Sequence, residues 1–455
     1  MSDIIQNDLL KAFIAISFIT FLIIKRKTWE EMVLGSTLVL LGLVNGYNFI
    51  PGMKNIRLGE LLLIIVFFWY LVFRKIYFNK KLTTFFVVLF STYLVSIFLN
   101  LELITFEPQA LFFNLAGLFL ISLPFITIYS VQAILIETFN KFDLAMYLAL
   151  RNMVFYIIIA VSFSETIIAL TDYKLGFFSR LVLKGTSSSS VGASRLGNFL
   201  ALSLIIIEAI IIHKRIEKKS KGILLVLSLA LFTNSFGVFA TFSRSAWINW
   251  GVGSLVLALM SKFRVKIKLF YIILLLILIV HFITGGQLFL MISKAFSVNN
   301  PGVYLFSRFY IWKDVLSIYK NNPTKIFEGI GVGNYYLISN VYENTKRGLV
   351  RIGSSHNQYL DIMNSSGILG LFVFVGLLIW FLQKGKIMRD TFIKNIYYAS
   401  ILGFAASSFF GDFIIHDPRN AGFLAFTSLG YFWVILGIGL SQLYVERALT
   451  ARNHI

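Results

Sequence analysis

Long apolar segments recur along almost the whole chain, and this repetition constrains the fold more than any other feature. About thirteen segments of roughly 15 to 25 residues are bounded by charged and turn residues, and an α-helix of this length can cross a bilayer. They lie near residues 9–24, 31–50, 60–73, 82–99, 110–130, 152–171, 196–212, 223–241, 245–260, 269–284, 357–382, 397–411 and 421–444. The pattern predicts an all-α, polytopic integral membrane protein with about 12–13 transmembrane helices.

The composition excludes several other classes of protein. Of the 455 residues, 58% are hydrophobic and 14% are charged, whereas about 25% of the residues in a soluble domain are charged. The chain has no cysteine, which excludes disulfide scaffolds, thiolate zinc sites and cysteine nucleophiles. The net charge of +20 comes from short basic clusters between apolar segments, so a nucleic-acid-binding face is not predicted.

Basic residues are divided unequally between alternate loops, which predicts the topology. The first apolar segment lacks a basic leader and a small-residue cleavage site, so we interpret it as a retained span. One set of loops holds 24 Lys and Arg, and the other holds 8 when the long segment of residues 285–355 is left out. Because basic residues are retained on the cytoplasmic side, the N-terminus is predicted outside and the C-terminus inside.

The long outer segment contains a second periodic pattern. Leu305, Phe309, Trp312, Leu316 and Tyr319 recur at helical spacing and predict an interfacial amphipathic helix. The helix is expected to end at Asn321, Asn322 and Pro323.

Two short motifs are weaker indications of function. Gly329, Gly331 and Gly333 could form a phosphate-binding loop, but a tight turn after the amphipathic helix is favoured. His416 and Asp417 are adjacent, yet two neighbours do not define a metal site. Neither a protein-held metal nor any other cofactor is predicted.

His356 is the strongest candidate for chemistry. It stands in the sequence Ser-Ser-His-Asn-Gln-Tyr-Leu that opens the segment 357–382, and we expect it in the first turn of a serine-capped helix. The helix dipole there would disfavour imidazolium and keep the ring able to accept a proton. The alternative is a histidine that only marks the membrane interface.

Three arginines on the predicted outer side form the second candidate group. Arg244 lies in a polar break of a few residues between two apolar segments, Arg308 lies on the amphipathic helix, and Arg195 precedes the segment 196–212. Each could be an interface anchor that contacts lipid headgroups. Together they indicate a site for a lipid phosphate, because guanidinium groups bind phosphate oxygens through two parallel hydrogen bonds.

From about residue 195 to 382 the chain resembles the superfamily of O-antigen ligases and O-antigen polymerases. The resemblance rests on Ser243 with Arg244, on Arg308 with Trp312, on Gly329–Asn334, and on Ser355–Asn357 leading into Leu360–Gly370. It implies a GT-C-like membrane fold with short helices in a large extracytoplasmic loop. The regions expected are N-terminal transmembrane helices (1–194), central transmembrane helices (195–284), the large extracytoplasmic loop (285–356) and C-terminal transmembrane helices (357–455).

The resemblance also implies an activity. Glycan would be transferred from a lipid pyrophosphate carrier, such as undecaprenyl pyrophosphate, to an acceptor hydroxyl at the outer face of the bacterial cytoplasmic membrane, with inversion and without a metal. His356 matches the histidine that activates or orients the acceptor hydroxyl. Arg244 and Arg308 match the arginines that hold the pyrophosphate, and Arg195 matches less closely. A chain-length regulator is a further expected partner.

Alternatives within and outside the superfamily stay open at this point. A polymerase that joins repeat units of an O-antigen, capsule or exopolysaccharide is preferred, because nothing in the sequence indicates an outer-membrane context. A ligase that transfers glycan to lipid A core or protein is the first alternative. A lipid-glycan flippase would need broken helices and buried charges inside the membrane. A non-catalytic scaffold would tolerate replacement of His356.

Overall fold

The computed structural model describes residues 13–17, 19–20, 28–43, 58–106, 108–171, 189–214, 221–241, 243–261, 305–339, 342–345, 348–351, 353–411 and 430–452. Six of the described helices are long and apolar enough to cross a membrane. The prediction of an all-α, polytopic membrane protein is confirmed. The number of spans and the division into four regions stay predictions, and the predicted segment 269–284 lies outside the described residues.

Most described helices before the long outer segment overlap predicted apolar segments, but Leu101–Phe106 lies in none of them, and Pro108–Lys141 and Leu144–Thr171 extend beyond the predicted 110–130 and 152–171. Asn79 shows how one of them begins, because its side chain accepts a hydrogen bond of 3.3 Å from the N–H of Leu82 and caps the helix. The helices are α1 (Trp29–Leu43), α2 (Leu58–Phe73), α3 (Lys80–Leu99), α4 (Leu101–Phe106), α5 (Pro108–Lys141), α6 (Leu144–Thr171), α7 (Ser189–Lys214), α8 (Lys221–Ala240) and α9 (Arg244–Met260).

The later elements include a small hairpin that the sequence did not predict. They are α10 (Leu305–Asn321), α11 (Lys325–Glu328), α12 (Tyr335–Ile338), β1 (Tyr342–Thr345), β2 (Gly348–Arg351), α13 (Gln358–Lys386), α14 (Thr391–Ser407), the 3-10 turn Ser408–Phe410 and α15 (Gly430–Arg452). β1 and β2 pair antiparallel, with Tyr342 opposite Arg351. Strands of four residues are too short to show a clear alternating pattern.

Helix α9 packs tightly against both α7 and α14 because glycines allow close approach. A Cβ on Gly403 of α14 would collide with Asn249 of α9, and a Cβ on Gly253 of α9 would collide with Ile205 of α7. The same Cβ on Gly253 would lie 3.4 Å from the carbonyl oxygen of Ala399. These contacts make α9 and α14 antiparallel, so α9 begins where α14 ends.

Basic residues from one predicted set of loops meet acidic partners at one end of the bundle, here called the basic end. Arg151 near the start of α6 pairs with Asp390 at 2.7 Å, directly before α14. Lys141 at the end of α5 pairs with Glu30 of α1 at 2.9 Å. Because α13 ends and α14 begins there, the start of α13 and the end of α14 lie at the opposite end.

The predicted amphipathic helix is present as α10 and ends at Asn321, as expected. The apolar face of α10 that packs on the protein differs in part from the predicted stripe. Ile311, Val315 and Ile318 are buried against the protein, whereas Phe309 and Leu316 from the predicted stripe are exposed. Both stripes have helical spacing, so periodicity alone could not identify the one that packs on the protein.

Candidate functional site

The glycine-rich stretch is a tight turn, as favoured from the sequence. Gly329, Gly331 and Gly333 have φ values of 71°, 90° and 70°, in the region that glycine adopts without steric conflict. The turn lies against a break in α13, where Gly367 has φ 70° and ψ −177°. A Cβ on Gly329 would lie 2.7 Å from the backbone nitrogen of Gly367. The turn therefore joins the outer elements to the helix that follows His356.

Polar contacts from α3 and α5 fix this turn in place. Lys325 at the start of α11 donates a hydrogen bond of 2.8 Å to Asn100, which lies directly after α3. The buried amide of Asn114 in α5 donates a bond of 3.0 Å to the side chain of Asn334. The outer elements are thus attached to two spans from the N-terminal half of the chain.

His356 does not lie in the first helical turn, where the sequence placed it. Asn357 is the N-cap of α13, since its side chain accepts from the N–H groups of Tyr359 and Leu360. His356 therefore precedes the cap, and its φ is 52°. Within the described residues it is the only non-glycine residue with positive φ. Serine was predicted as the cap, but asparagine fits the same role and stands next to the helix.

The turn that carries His356 is held by a buried carboxylate one turn into α13. One oxygen of Asp361 accepts the N–H of Ser355 at 2.7 Å, and the other accepts the hydroxyl of Ser354 at 3.0 Å. The Ser354 hydroxyl in turn accepts the N–H of His356 at 3.0 Å. Sequence reasoning missed Asp361. The only signal was an acidic residue in the first turn of the helix after the candidate histidine.

Helix α10 approaches the same turn and brings Arg308 to His356. The indole Nε1 of Trp312, one helical turn after Arg308, donates a hydrogen bond of 3.1 Å to the carbonyl oxygen of Ser355. Burial, and then the positive charge of Arg308, lowers the pKa of His356 from 6.5 to about 4. The ring is therefore neutral near pH 7, as expected, but burial and Arg308 replace the helix dipole as the cause.

Arg308 and the helix that begins at Arg244 contact the same 3-10 turn. The side chain of Arg308 lies over the ring of Phe410, with 5.7 Å between the guanidinium carbon and the ring centroid. Helix α9, whose first residue is Arg244, contacts the turn Ser408–Phe410 that contains this ring. Arg244 is half-buried at the end of the bundle opposite the basic end.

Arg195 lies on the neighbouring helix α7 and is buried. One turn further along, the amide of Asn198 donates a hydrogen bond of 3.1 Å to the hydroxyl of Ser245 and accepts one of 3.0 Å from Asn249. Arg195 is therefore near the start of α9.

The structure thus brings the four predicted residues to one end of the bundle, but they are not equally close to one another. His356 and Arg308 interact electrostatically, Arg308 and helix α9, which begins at Arg244, contact the same 3-10 turn, and Arg195 lies on α7 beside α9. The arrangement sets a neutral base beside guanidinium groups that could bind an anion. Among the described residues no group of three or more His, Asp or Glu could hold a metal ion, and His416 and Asp417 lie outside them.

Comparison with known proteins adds one finding. Residues 229–375, about a third of the chain, match the family model described as O-antigen ligase. The matched part contains Arg244, Arg308 and His356, whereas Arg195 lies before it. The predicted resemblance to the superfamily of O-antigen ligases and polymerases is confirmed over these residues, and it supports glycosyl transfer at the level of the family. No curated protein matches the chain.

Proposed function

We propose, from the O-antigen ligase domain that the chain carries, that this protein polymerises lipid-linked oligosaccharide repeat units of an O-antigen, capsule or exopolysaccharide. The observation that carries the proposal is the position of His356 beside α10, the helix with Arg308, where Trp312 bonds to Ser355 at the end of the bundle opposite the basic end. The cytoplasmic membrane is the proposed location. Since basic residues favour the cytoplasmic side, the site would face the periplasm or the cell exterior.

In the proposed reaction the acceptor is a sugar hydroxyl and the donor is a glycan on undecaprenyl pyrophosphate. His356 takes the proton of the hydroxyl, whose oxygen forms the new bond to the anomeric carbon with inversion. The bond from that carbon to the pyrophosphate oxygen breaks, and the pyrophosphate leaves with the electron pair. Arg244 and Arg308 stabilise the charge on this leaving group, so the reaction is proposed to need no metal. Arg195 is kept as a third candidate contact to the pyrophosphate.

The ligase alternative uses the same residues and differs in the acceptor. A ligase would transfer finished glycan to lipid A core or to a protein, and the geometry of His356 and the arginines suits both acceptors. The products in the cell distinguish them, since loss of a polymerase leaves single repeats and loss of a ligase leaves long unattached chains.

A lipid-glycan flippase is a second candidate, because two observations agree with what a transporter would need. Helix α13 is broken at Gly367, and Glu208 is buried inside α7. Both features also have structural partners here. The break receives the glycine turn, and the Glu208 carboxylate accepts hydrogen bonds from Trp250 at 2.8 Å and Ser254 at 2.7 Å.

The test is a gel of lipid-linked and surface glycans from a strain that lacks this chain. The strain is complemented with wild type, His356→Ala or the control His213→Ala at matched membrane levels. His213 lies near the basic-end terminus of α7, with its ring edge-on to Phe392. We expect wild type and His213→Ala to restore long chains and His356→Ala to leave single lipid-linked repeats. Long lipid-linked chains without attachment would indicate a ligase, and equal profiles for all three would favour transport or a scaffold.

A further inference from the structure

The backbone at His356 needs support from its surroundings. Its φ of 52° lies in the left-handed region. Residues with a Cβ adopt this region rarely, and mostly where neighbouring contacts enforce it. Residues in such conformations concentrate at functional sites, where the conformation aims a side chain. The contacts that hold this turn therefore bear on where the imidazole points.

Asp361 supplies the central contacts to this turn. Its carboxylate accepts the N–H of Ser355 and the hydroxyl of Ser354, and through Ser354 it reaches the N–H of His356. The carboxylate thus fixes the backbone on the N-terminal side of the histidine. Asp361 is buried, with 6% of its surface exposed, so these hydrogen bonds do not compete with bulk water.

Two phenols from other elements lie near Asp361, and one of them, Tyr319 of α10, donates its hydrogen bond to Asn364. Burial, and then the charge of Asp361, raises the pKa of the Tyr319 phenol on α10. Burial raises the pKa of the Tyr335 phenol, the hydrogen bond with Ser339 lowers it, and the charges of Asp314 and then of Asp361 raise it further. Arg308, also on α10, is the charged group that faces His356. The charge of the carboxylate therefore acts on residues of α10 and α12 as well as on its own turn.

We propose that Asp361 is a positioning residue, which holds the His356 turn in its left-handed conformation and so aims the imidazole at the acceptor hydroxyl. The inference rests on the proposed function for the role of His356. It concerns a residue that touches neither donor nor acceptor and acts through the histidine. Ser354 is the relay, since its hydroxyl donates to Asp361 and accepts from the N–H of His356.

The experiment uses purified full-length protein and lipid-linked repeats extracted from the strain that lacks this chain. Asp361→Asn keeps the size of the side chain and removes one acceptor and the charge. Ser354→Ala removes only the relay and serves as the milder variant. Asp143→Asn is the matched control, because Asp143 accepts one backbone N–H, from Met146 at 2.7 Å, at the basic end. We expect Asp361→Asn to lower kcat about tenfold or more, with KM for the donor unchanged, and Asp143→Asn to change neither.

Two further readouts separate positioning from general destabilisation. If Asp361 acts through His356, adding Asp361→Asn to His356→Ala lowers any residual rate no further. The reactivity of His356 toward diethylpyrocarbonate, measured by mass spectrometry of its peptide, is expected to change about threefold or more in Asp361→Asn and Ser354→Ala but not in Asp143→Asn. This second readout needs no enzymatic activity.

The outcomes distinguish this inference from the proposed function. A wild-type rate in His356→Ala would contradict the role of the histidine, whatever Asp361→Asn does. An inactive His356→Ala together with wild-type kcat or unchanged His356 reactivity in Asp361→Asn would overturn the positioning role alone. Equal losses from Asp361→Asn with and without His356 would also overturn it, because Asp361 would then act independently.

Discussion

The indole Nε1 of Trp312 lies 3.1 Å from the backbone oxygen of Ser355 and donates a hydrogen bond to it. This bond joins α10 to the turn directly before His356. Since Arg308 is one helical turn before Trp312, the same contact sets the distance between the arginine and the histidine. Two residues that are 48 positions apart in the sequence, Arg308 and His356, are thereby held together.

Replacing Trp312 by Phe removes this hydrogen bond and keeps most of the apolar surface. We expect transfer activity to fall severalfold, and stability to fall by about 1 kcal/mol. Activity is measured on extracted lipid-linked repeats, and stability by thermal unfolding in detergent. Trp380→Phe is the matched control, because the buried Trp380 indole N–H makes no hydrogen bond to the described residues. Equal activity losses in both variants would show that the Trp312–Ser355 bond does not matter.

The depressed pKa of His356 predicts how activity depends on pH. With a pKa of about 4 in the folded protein, the ring is mostly neutral once the pH is more than about one unit higher. We therefore expect kcat/KM to be insensitive to the titration of His356 between about pH 5.5 and 8, and to fall only as the pH approaches 4. A rate that halves near pH 6.5 would mean that the ring titrates as it does in water.

The same shift predicts how stability depends on pH. Because the pKa of the folded state, about 4, is below the ordinary value of 6.5, the unfolded state binds the proton first. The contribution of His356 to the free energy of unfolding is fully present above pH 6.5. It declines as the pH falls from 6.5 to 4 and changes no further below pH 4. We expect the Tm of wild type to drop more over this interval than the Tm of His356→Gln, which cannot titrate there. Parallel curves would contradict the prediction.

The sequence predicted the membrane helices and the candidate residues because both depend on local information. Charged flanks and apolar length identified α3, α7 and α13, and the polar break identified Arg244. The cap of α13 and the support of His356 could not be predicted in the same way. Asn357 and two serines all suit a cap, and the hydrogen bonds to Asp361 depend on a left-handed residue that no periodicity reveals.

The break in α13 predicts a strong effect of a single methyl group. Gly367 has φ 70°, and a Cβ there would collide with the backbone oxygen of Phe327. We expect Gly367→Ala to lower the free energy of unfolding by about 2 kcal/mol or more and to reduce the amount of protein in the membrane. Gly251→Ala on α9 is the control, since its Cβ would meet nothing within 4 Å. Equal thermal stability of both variants would mean that the break is not required.

Contacts between distant segments explain why this break was not predicted. A glycine inside an apolar segment usually indicates a packing position, and the family resemblance includes Gly367 only within the stretch Leu360–Gly370. Its conformation follows from the turn at Gly329, 38 residues earlier, which fills the space beside it. The exposed Phe309 and Leu316 of α10 illustrate the same limit, because the neighbours of a helix decide which of its apolar residues are buried.

The basic residues at the basic end predict on which side of the membrane the candidate site lies. Arg151, Lys141 and their acidic partners lie at the end opposite His356, and basic residues favour the cytoplasmic side. We expect alkaline phosphatase inserted between β1 and β2 to be active, because this enzyme folds only outside the cytoplasm. The same reporter after Ile455 should be inactive, and a fluorescent protein there should be bright. A cytoplasmic signal from a tag at Met1 would contradict the topology, since the N-terminus is predicted outside.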